Sequence, residues 1–234
     1  MKSNRSASGL FRQRGIGLVE LMVAMTIGLV ILIALAYFFL GSRQINRTHD
    51  DVSRMQENGR YALETLGRAI RQAGYRKDVD SLFTGVPLNG ADGGTDTITV
   101  QFDAQDGGEA DCAGTNIAEG ALVTYAFAVN GTQQLTCNNG TTTVVVADNI
   151  ENMQISYGID SNKDGQIESY QTAAGVTNFG QVAAVQVNLL VRGATPNAAT
   201  GSQTYTYNGT STTATDRFLR QVYTATFTVR NQAR

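Results

Sequence analysis

Twenty consecutive positions, Leu21 to Leu40, are uncharged and mostly apolar. At about 1.5 Å per residue such a run crosses a hydrocarbon core of roughly 30 Å as a helix. After Gly41 the pattern changes without a break in helical character. Ile45, Val52, Met55, Ala62, Leu66, Ile70 and Ala73 recur at spacings near three and four, the signature of an amphipathic helix. The charged residues Arg47, Asp50, Asp51, Arg54, Glu57, Arg60, Glu64, Arg68 and Arg71 are expected on its other faces, and Gly74 is a natural stop. One long helix over 16–75 follows, with a membrane half (16–40) and an amphipathic half (41–75). Gly59 and Gly67 each cost about 1 kcal/mol against alanine in its interior. They mark either close packing or local loosening.

Beyond the helix the period falls to two. Alternating or β-branched runs stand at Asp96–Asp103, Ala121–Val129, Thr142–Ala147, Ile150–Ile159, Gln181–Arg192, Tyr205–Tyr207 and Phe218–Arg230, which read as six or seven strands. Val185, Val187, Leu189 and Val191 share one face of their strand, as do Tyr223, Ala225, Phe227 and Val229 of the last. Those faces are expected to cover the long helix. The strands follow one another across Gly-, Asn- and Asp-rich connections with no helical pattern between them, which favours antiparallel pairing. The fold class expected is α+β, with a β-rich head over 76–234.

Charge sharpens this division. The net formal charge is only −2, but residues 1–15 carry Lys2, Arg5, Arg12 and Arg14 and no acid. By the positive-inside tendency the N-terminus stays cytoplasmic and the head is exported. From Arg76 onward eight basic residues face fifteen acids, a balance of −7. Such a head repels phosphate backbones, so no nucleic-acid partner is expected. Two cysteines, Cys112 and Cys137, lie in the exported part, where a disulfide is the natural reading. A loop of that size gains about 3 kcal/mol from closure.

One residue breaks the apolar run at its start. A carboxylate such as Glu20 costs several kcal/mol when unpaired at bilayer depth and less near the interface. A conventional leader would end in a small-residue cleavage site, whereas this apolar run continues into a polar helix. Arg12-Gln13-Arg14-Gly15 followed by Ile16-Gly17-Leu18-Val19-Glu20-Leu21-Met22-Val23-Ala24 resembles the class III leader of type IV prepilins. The resemblance implies a leader over 1–15, cleavage between Gly15 and Ile16 by prepilin peptidase, and methylation of the new amine. It also implies that Glu20 neutralises the Ile16 amine of a neighbouring subunit, since buried charges persist when paired. Ile16 departs from the phenylalanine usual in major pilins.

The stretch Gln56-Glu57-Asn58-Gly59-Arg60-Tyr61-Ala62-Leu63, running to Arg71-Gln72-Ala73-Gly74-Tyr75, resembles PilW-type minor pilins. So does the end of the chain, with Leu189-Leu190-Val191-Arg192 and Val229-Arg230-Asn231. The likeness is weakest from Val79 to Thr142. It implies a pilin-like fold and a filament subunit, not an enzyme. It further implies a minor pilin that joins other minor pilins and the major pilin at the inner-membrane assembly platform. There it primes assembly and enters the extracellular pilus near its tip, where the pilus serves adhesion or twitching motility. No small-molecule substrate is expected.

Two other readings fit the same residues. One is a minor pseudopilin of type II secretion, similar to the J-type subunit. The other is a single-span periplasmic domain that senses a ligand or calcium and keeps its leader.

The sharpest pattern in the head is Asp160-Ser161-Asn162-Lys163-Asp164-Gly165-Gln166-Ile167-Glu168, with the spacing of a calcium loop. Asp160, Asn162 and Asp164 would ligate by side chain, Gln166 by its carbonyl, and Glu168 directly or through water. Position twelve is Gln171 where an EF-hand has glutamate, and strands flank the loop, so any calcium site is closed differently. A plain hairpin turn uses the same residues. No cofactor is required; calcium, if bound, would stiffen the head. His49 and the acidic stretch Asp103–Asp111 read as solvated surface, and no phosphate loop, zinc spacing or nucleophile elbow is present.

Overall fold

The computed structural model describes residues 17–78, 83–105 and 110–231. One helix, α1, runs Leu18–Gln72. It ends as its pattern requires. The Ala73 N–H bonds Ile70 O at 3.2 Å. Gly74 then takes φ +69, a left-handed conformation that glycine adopts without a Cβ penalty. The Gly74 N–H leaves the helix for Gln101 O at 2.8 Å.

The chain divides into two compact units, Met1–Asn46 and Arg47–Arg234. In the first, no described residue is buried: the apolar residues from Leu18 to Leu40 all face outward, and so does Ile45, which the spacing had placed on the buried face. Arg43 stacks over the Phe39 ring, 4.2 Å from its centroid.

The second unit holds the core. Eleven strands form among the described residues, all pairs antiparallel. A five-stranded meander comprises β1 (Leu88–Ala91), β2 (Thr97–Asp103), β3 (Leu122–Val129), β4 (Gln134–Asn138) and β5 (Thr143–Asp148), in that order. A four-stranded sheet is ordered β11-β8-β6-β7, from β6 (Ile150–Ile159), β7 (Ser169–Gln171), β8 (Val182–Arg192) and β11 (Arg220–Thr228). A separate ribbon pairs β9 (Thr204–Tyr207) with β10 (Thr210–Thr213).

Six or seven strands had been expected. The additional ones, β1, β4, β7 and β10, are short and read LNGA, QLTCN, SYQ and TSTT. Without a sustained apolar alternation, their strand character comes from the neighbours they pair with.

Alternation builds the rest. In β2, Ile98, Val100 and Phe102 point inward, joined by Val123 and Phe127 of β3 and Leu135 of β4. In β8 the expected Val185, Val187, Leu189 and Val191 are fully buried, and Val182, Ala183, Ala184 and Leu190 are buried as well. That central strand is covered on both faces and reads as a continuous apolar run. The head half of α1 supplies Met55, Ala62, Leu66, Ala69 and Ile70 to the same core. Each large apolar side chain so buried contributes about 1.5–3 kcal/mol.

The two helical glycines resolve as close packing. A Cβ on Gly59 would lie 2.7 Å from the Tyr223 ring, and one on Gly67 would overlap the Phe227 ring. Tyr223 and Phe227 share a face of β11, so the last strand seats two rings in two notches of the helix.

Candidate functional site

Glu20 lies in the first turn of α1, within the unit 1–46. Among the described residues its side chain has no hydrogen bond or ion pair. It is the only charged position between residue 17 and Arg43. The span is long and apolar enough to cross a membrane, and none of it is buried within the protein. Gly15 and Ile16, the expected cleavage and methylation positions, lie outside the described residues, as does the leader.

Within the unit Arg47–Arg234, Asp51 departs from expectation. The charge pattern placed it on a solvated face, yet it is 3% exposed. One carboxylate oxygen accepts from Thr195 Oγ1 at 2.8 Å and the other from Thr195 N–H at 3.1 Å. Gly193 approaches so closely that a Cβ there would lie 3.0 Å from Asp51 Oδ2. Asp51 therefore ties the start of the head's helix to the loop after β8. The available signal was its phase, four residues before Met55 on the buried stripe. His49 is exposed, as expected.

The loop after β2 is fastened twice. Cys112 and Cys137 form a disulfide with Cα atoms 6.4 Å apart. Beside it Asp111 accepts from the N–H groups of Ala113 (2.8 Å) and Thr115 (2.9 Å) and from Asn139 Nδ2 (2.6 Å). Burial alone would raise its pKa, but these bonds to the ionised form outweigh burial and hold it below the ordinary value. The stretch Asp103–Asp111 lies in part outside the described residues.

Two hollows flank the helix in this unit. One, about 320 Å³, lies between Tyr61, Thr65 and Arg68 of α1 and Val145 of β5. The other, about 340 Å³, sits at the end of α1, rimmed by Arg68, Arg71 and Arg230 over Phe102.

The expected calcium loop closes the β6–β7 hairpin, where Ile159 pairs with Ser169. Asp160, 5% exposed, accepts from Asp164 N–H (3.2 Å) and Gly165 N–H (2.9 Å). Asn162 Oδ1 also accepts from Asp164 N–H at 3.0 Å, and Asp164 Oδ1 accepts from Gln166 N–H at 2.8 Å. Glu168 folds back to accept from Ser161 N–H at 3.0 Å. Lys163 and Gly165 take φ +59 and +84, which makes the sharp turn. As a result Asp160, Asp164 and Glu168 each present a carboxylate oxygen within 4.8 Å of the others. An all-oxygen set of this kind suits a hard divalent cation.

The sequence model for Type IV Pilus-assembly protein W matches residues 115–231, half of the chain. The chain belongs to the PilW family of pilus-assembly proteins. A second match, to the prokaryotic N-terminal methylation motif, covers residues 10–36 and so spans Gly15, Ile16 and Glu20. Together with the apolar helix it marks a membrane-anchored pilin. Among solved structures, a type IV-like pilin from Thermus thermophilus aligns at TM-score 0.49 and 18% identity, covering 80% of this chain and all of that one. No curated protein matches. The PilW match begins within the stretch where the sequence resemblance was weakest and runs through the closing strand, so the head itself carries the family pattern.

Proposed function

We propose that this PilW-family chain is a minor pilin that is processed and methylated at its N-terminus and then joins other minor pilins to prime a type IV pilus. Prepilin peptidase cuts between Gly15 and Ile16, and the amine of Ile16 is methylated. The N-terminus faces the cytoplasm and the head the periplasm until the subunit enters the extracellular filament near its tip. The domain scheme is leader 1–15, membrane and filament-core helix 16–40, amphipathic half 41–75 and head 76–234. Glu20 carries this reading. Its side chain is unpartnered among the described residues, at the start of an apolar span in which no described residue is buried, and a cation from outside those residues would offset its cost in lipid. The amine of an adjacent subunit's Ile16 is such a cation.

The test is the intact mass of the mature N-terminal peptide from cells with and without prepilin peptidase. Methylated Ile16 at the terminus only when the enzyme is present supports the reading. Retention of residues 1–15 in both strains excludes it and leaves a signal-anchored domain.

For the loop Asp160–Glu168 we propose calcium held by Asp160, Asn162, Asp164, Gln166 and Glu168, with a stiffening role and no catalysis. The convergence of three carboxylates supports it. Calcium should raise the melting temperature of the purified chain, and Asp164→Ala should abolish that rise. An unchanged melting temperature leaves the loop as a hairpin turn alone.

A further inference from the structure

Five Asn-Gly steps stand in the sequence: Asn58-Gly59, Asn89-Gly90, Asn130-Gly131, Asn139-Gly140 and Asn208-Gly209. At such a step the glycine nitrogen can attack the asparagine side-chain amide, because no Cβ on the following residue hinders the approach. The fold treats the five very differently.

Four are held. Asn58 sits inside α1 and donates from Nδ2 to Asp148 O at 3.0 Å. Asn89 and Gly90 lie within β1, paired with Thr99 and Ile98. Asn130 Oδ1 accepts from Thr132 N–H (3.0 Å), Thr132 Oγ1 (2.8 Å) and Gln134 N–H (2.9 Å). Asn139 Oδ1 accepts from Thr141 N–H (2.9 Å) and Thr142 N–H (2.7 Å), and its Nδ2 donates to Asp111.

Asn208 is different. It stands exposed at the tip of the β9–β10 ribbon, where Tyr207 pairs with Thr210 and leaves a two-residue turn at φ +47 and +77. Among the described residues neither its side chain nor the Gly209 N–H has a hydrogen bond. Every residue of β10 is exposed. A two-stranded ribbon is marginally stable by itself, so its tip opens at small free-energy cost.

We propose that Asn208 is a site of spontaneous deamidation, with the Gly209 backbone nitrogen as nucleophile and water as co-reactant. The Gly209 nitrogen loses its proton to solvent base and forms a bond to Asn208 Cγ. Nδ2 takes up a proton from solvent, the Cγ–Nδ2 bond breaks and ammonia leaves, giving a five-membered succinimide. Water then opens the ring at either carbonyl, yielding aspartate or isoaspartate. Ammonia is exchanged for water, so the side chain gains one negative charge at neutral pH and about 1 Da.

Isoaspartate also adds a carbon to the backbone. A two-residue turn cannot absorb it and keep the pairing of Tyr207 with Thr210. Tyr207 is the ribbon's anchor, donating to Asn152 Oδ1 and Asn188 O at 3.1 Å each. Conversion at Asn208 therefore loosens the ribbon from the face of β6 and β8. The chemistry is independent of the filament role proposed above.

The experiment incubates the purified full chain at mildly alkaline pH and follows all five peptides by mass spectrometry with an isoaspartate assay. The Asn208 peptide should convert first, at about tenfold or more the rate of the other four. In denaturant the spread among the five should shrink, and Asn208→Gln should suppress the early ammonia release. Earlier conversion at any of the other four, or an Asn208 that stays intact in the folded chain while its denatured peptide converts, overturns the proposal.

Discussion

Single atoms decide whether α1 can lie on the head. Gly59 and Gly67 are poor helix residues, yet each leaves room for a ring of β11. Gly67→Ala gains about 1 kcal/mol of helix propensity and meets an overpacking cost of about 1–3 kcal/mol. The net expectation is destabilisation, read as a lower denaturant midpoint with an unchanged slope. Arg220 is a second such residue. Its side chain is 5% exposed and bonds Glu151 (Nε to Oε2, 2.6 Å) and Asp216 (Nη2 to Oδ2, 2.8 Å). The hydrogen bond from the Arg220 guanidinium is the largest effect on Asp216; it outweighs burial, and with weaker help from the Phe218 N–H it lowers the pKa to about 2 from an ordinary 3.8. A depressed folded pKa gives stability that is complete above the unfolded value and is lost as pH falls through the folded one. Stability should therefore decline between about pH 4 and about pH 2. Arg220→Ala should cost about 3 kcal/mol at neutral pH and flatten that part of the profile, as measured by urea unfolding across pH.

At the level of elements, the molecule depends on a few fastenings between segments far apart in sequence. Asp51→Ala leaves the Thr195 N–H without its acceptor and should destabilise the head by about 1–3 kcal/mol, whereas Asp51→Asn should recover part of the loss. The paired Cys112→Ser, Cys137→Ser change releases the loop after β2 and should cost about 3 kcal/mol, seen as a lower melting temperature under non-reducing conditions. The strands that bear these fastenings were legible to different degrees. Alternation announced β2, β3, β6, β8 and β11. It was silent on β4, whose buried Leu135 and Cys137 are flanked by polar residues. It was silent also on β10, a run of hydroxyl side chains that is a strand only because Asn208-Gly209 turns it back along β9.

At the scale of the whole molecule, the apolar half of α1 anchors the chain in the membrane, and the proposed assembly role rests on its first turn. Under the proposed processing, Glu20→Ala should leave leader removal intact, because the proposed cut precedes Ile16, while loss of the proposed charge pair should exclude the subunit from sheared filaments. Cell fractionation that finds the variant in filaments at the parent level would remove Glu20 from the assembly role. The sequence by itself determined the apolar span, the basic stretch before it, the odd carboxylate and the long helix that follows. These are properties of consecutive residues, and hydropathy and helical period need no partner to be read. It also determined the α+β class, because period-two alternation is local. The spacing of Asp160, Asp164 and Glu168 within one loop already pointed to their convergence. Only the tertiary structure decided that Asp51 is a buried anchor and not a surface charge and that two glycines are notches for rings. It alone separated Asn208 from four identical steps. The first two depend on what a distant segment brings within a few ångströms, which no local pattern encodes, and the last on which hydrogen bonds each turn makes once folded.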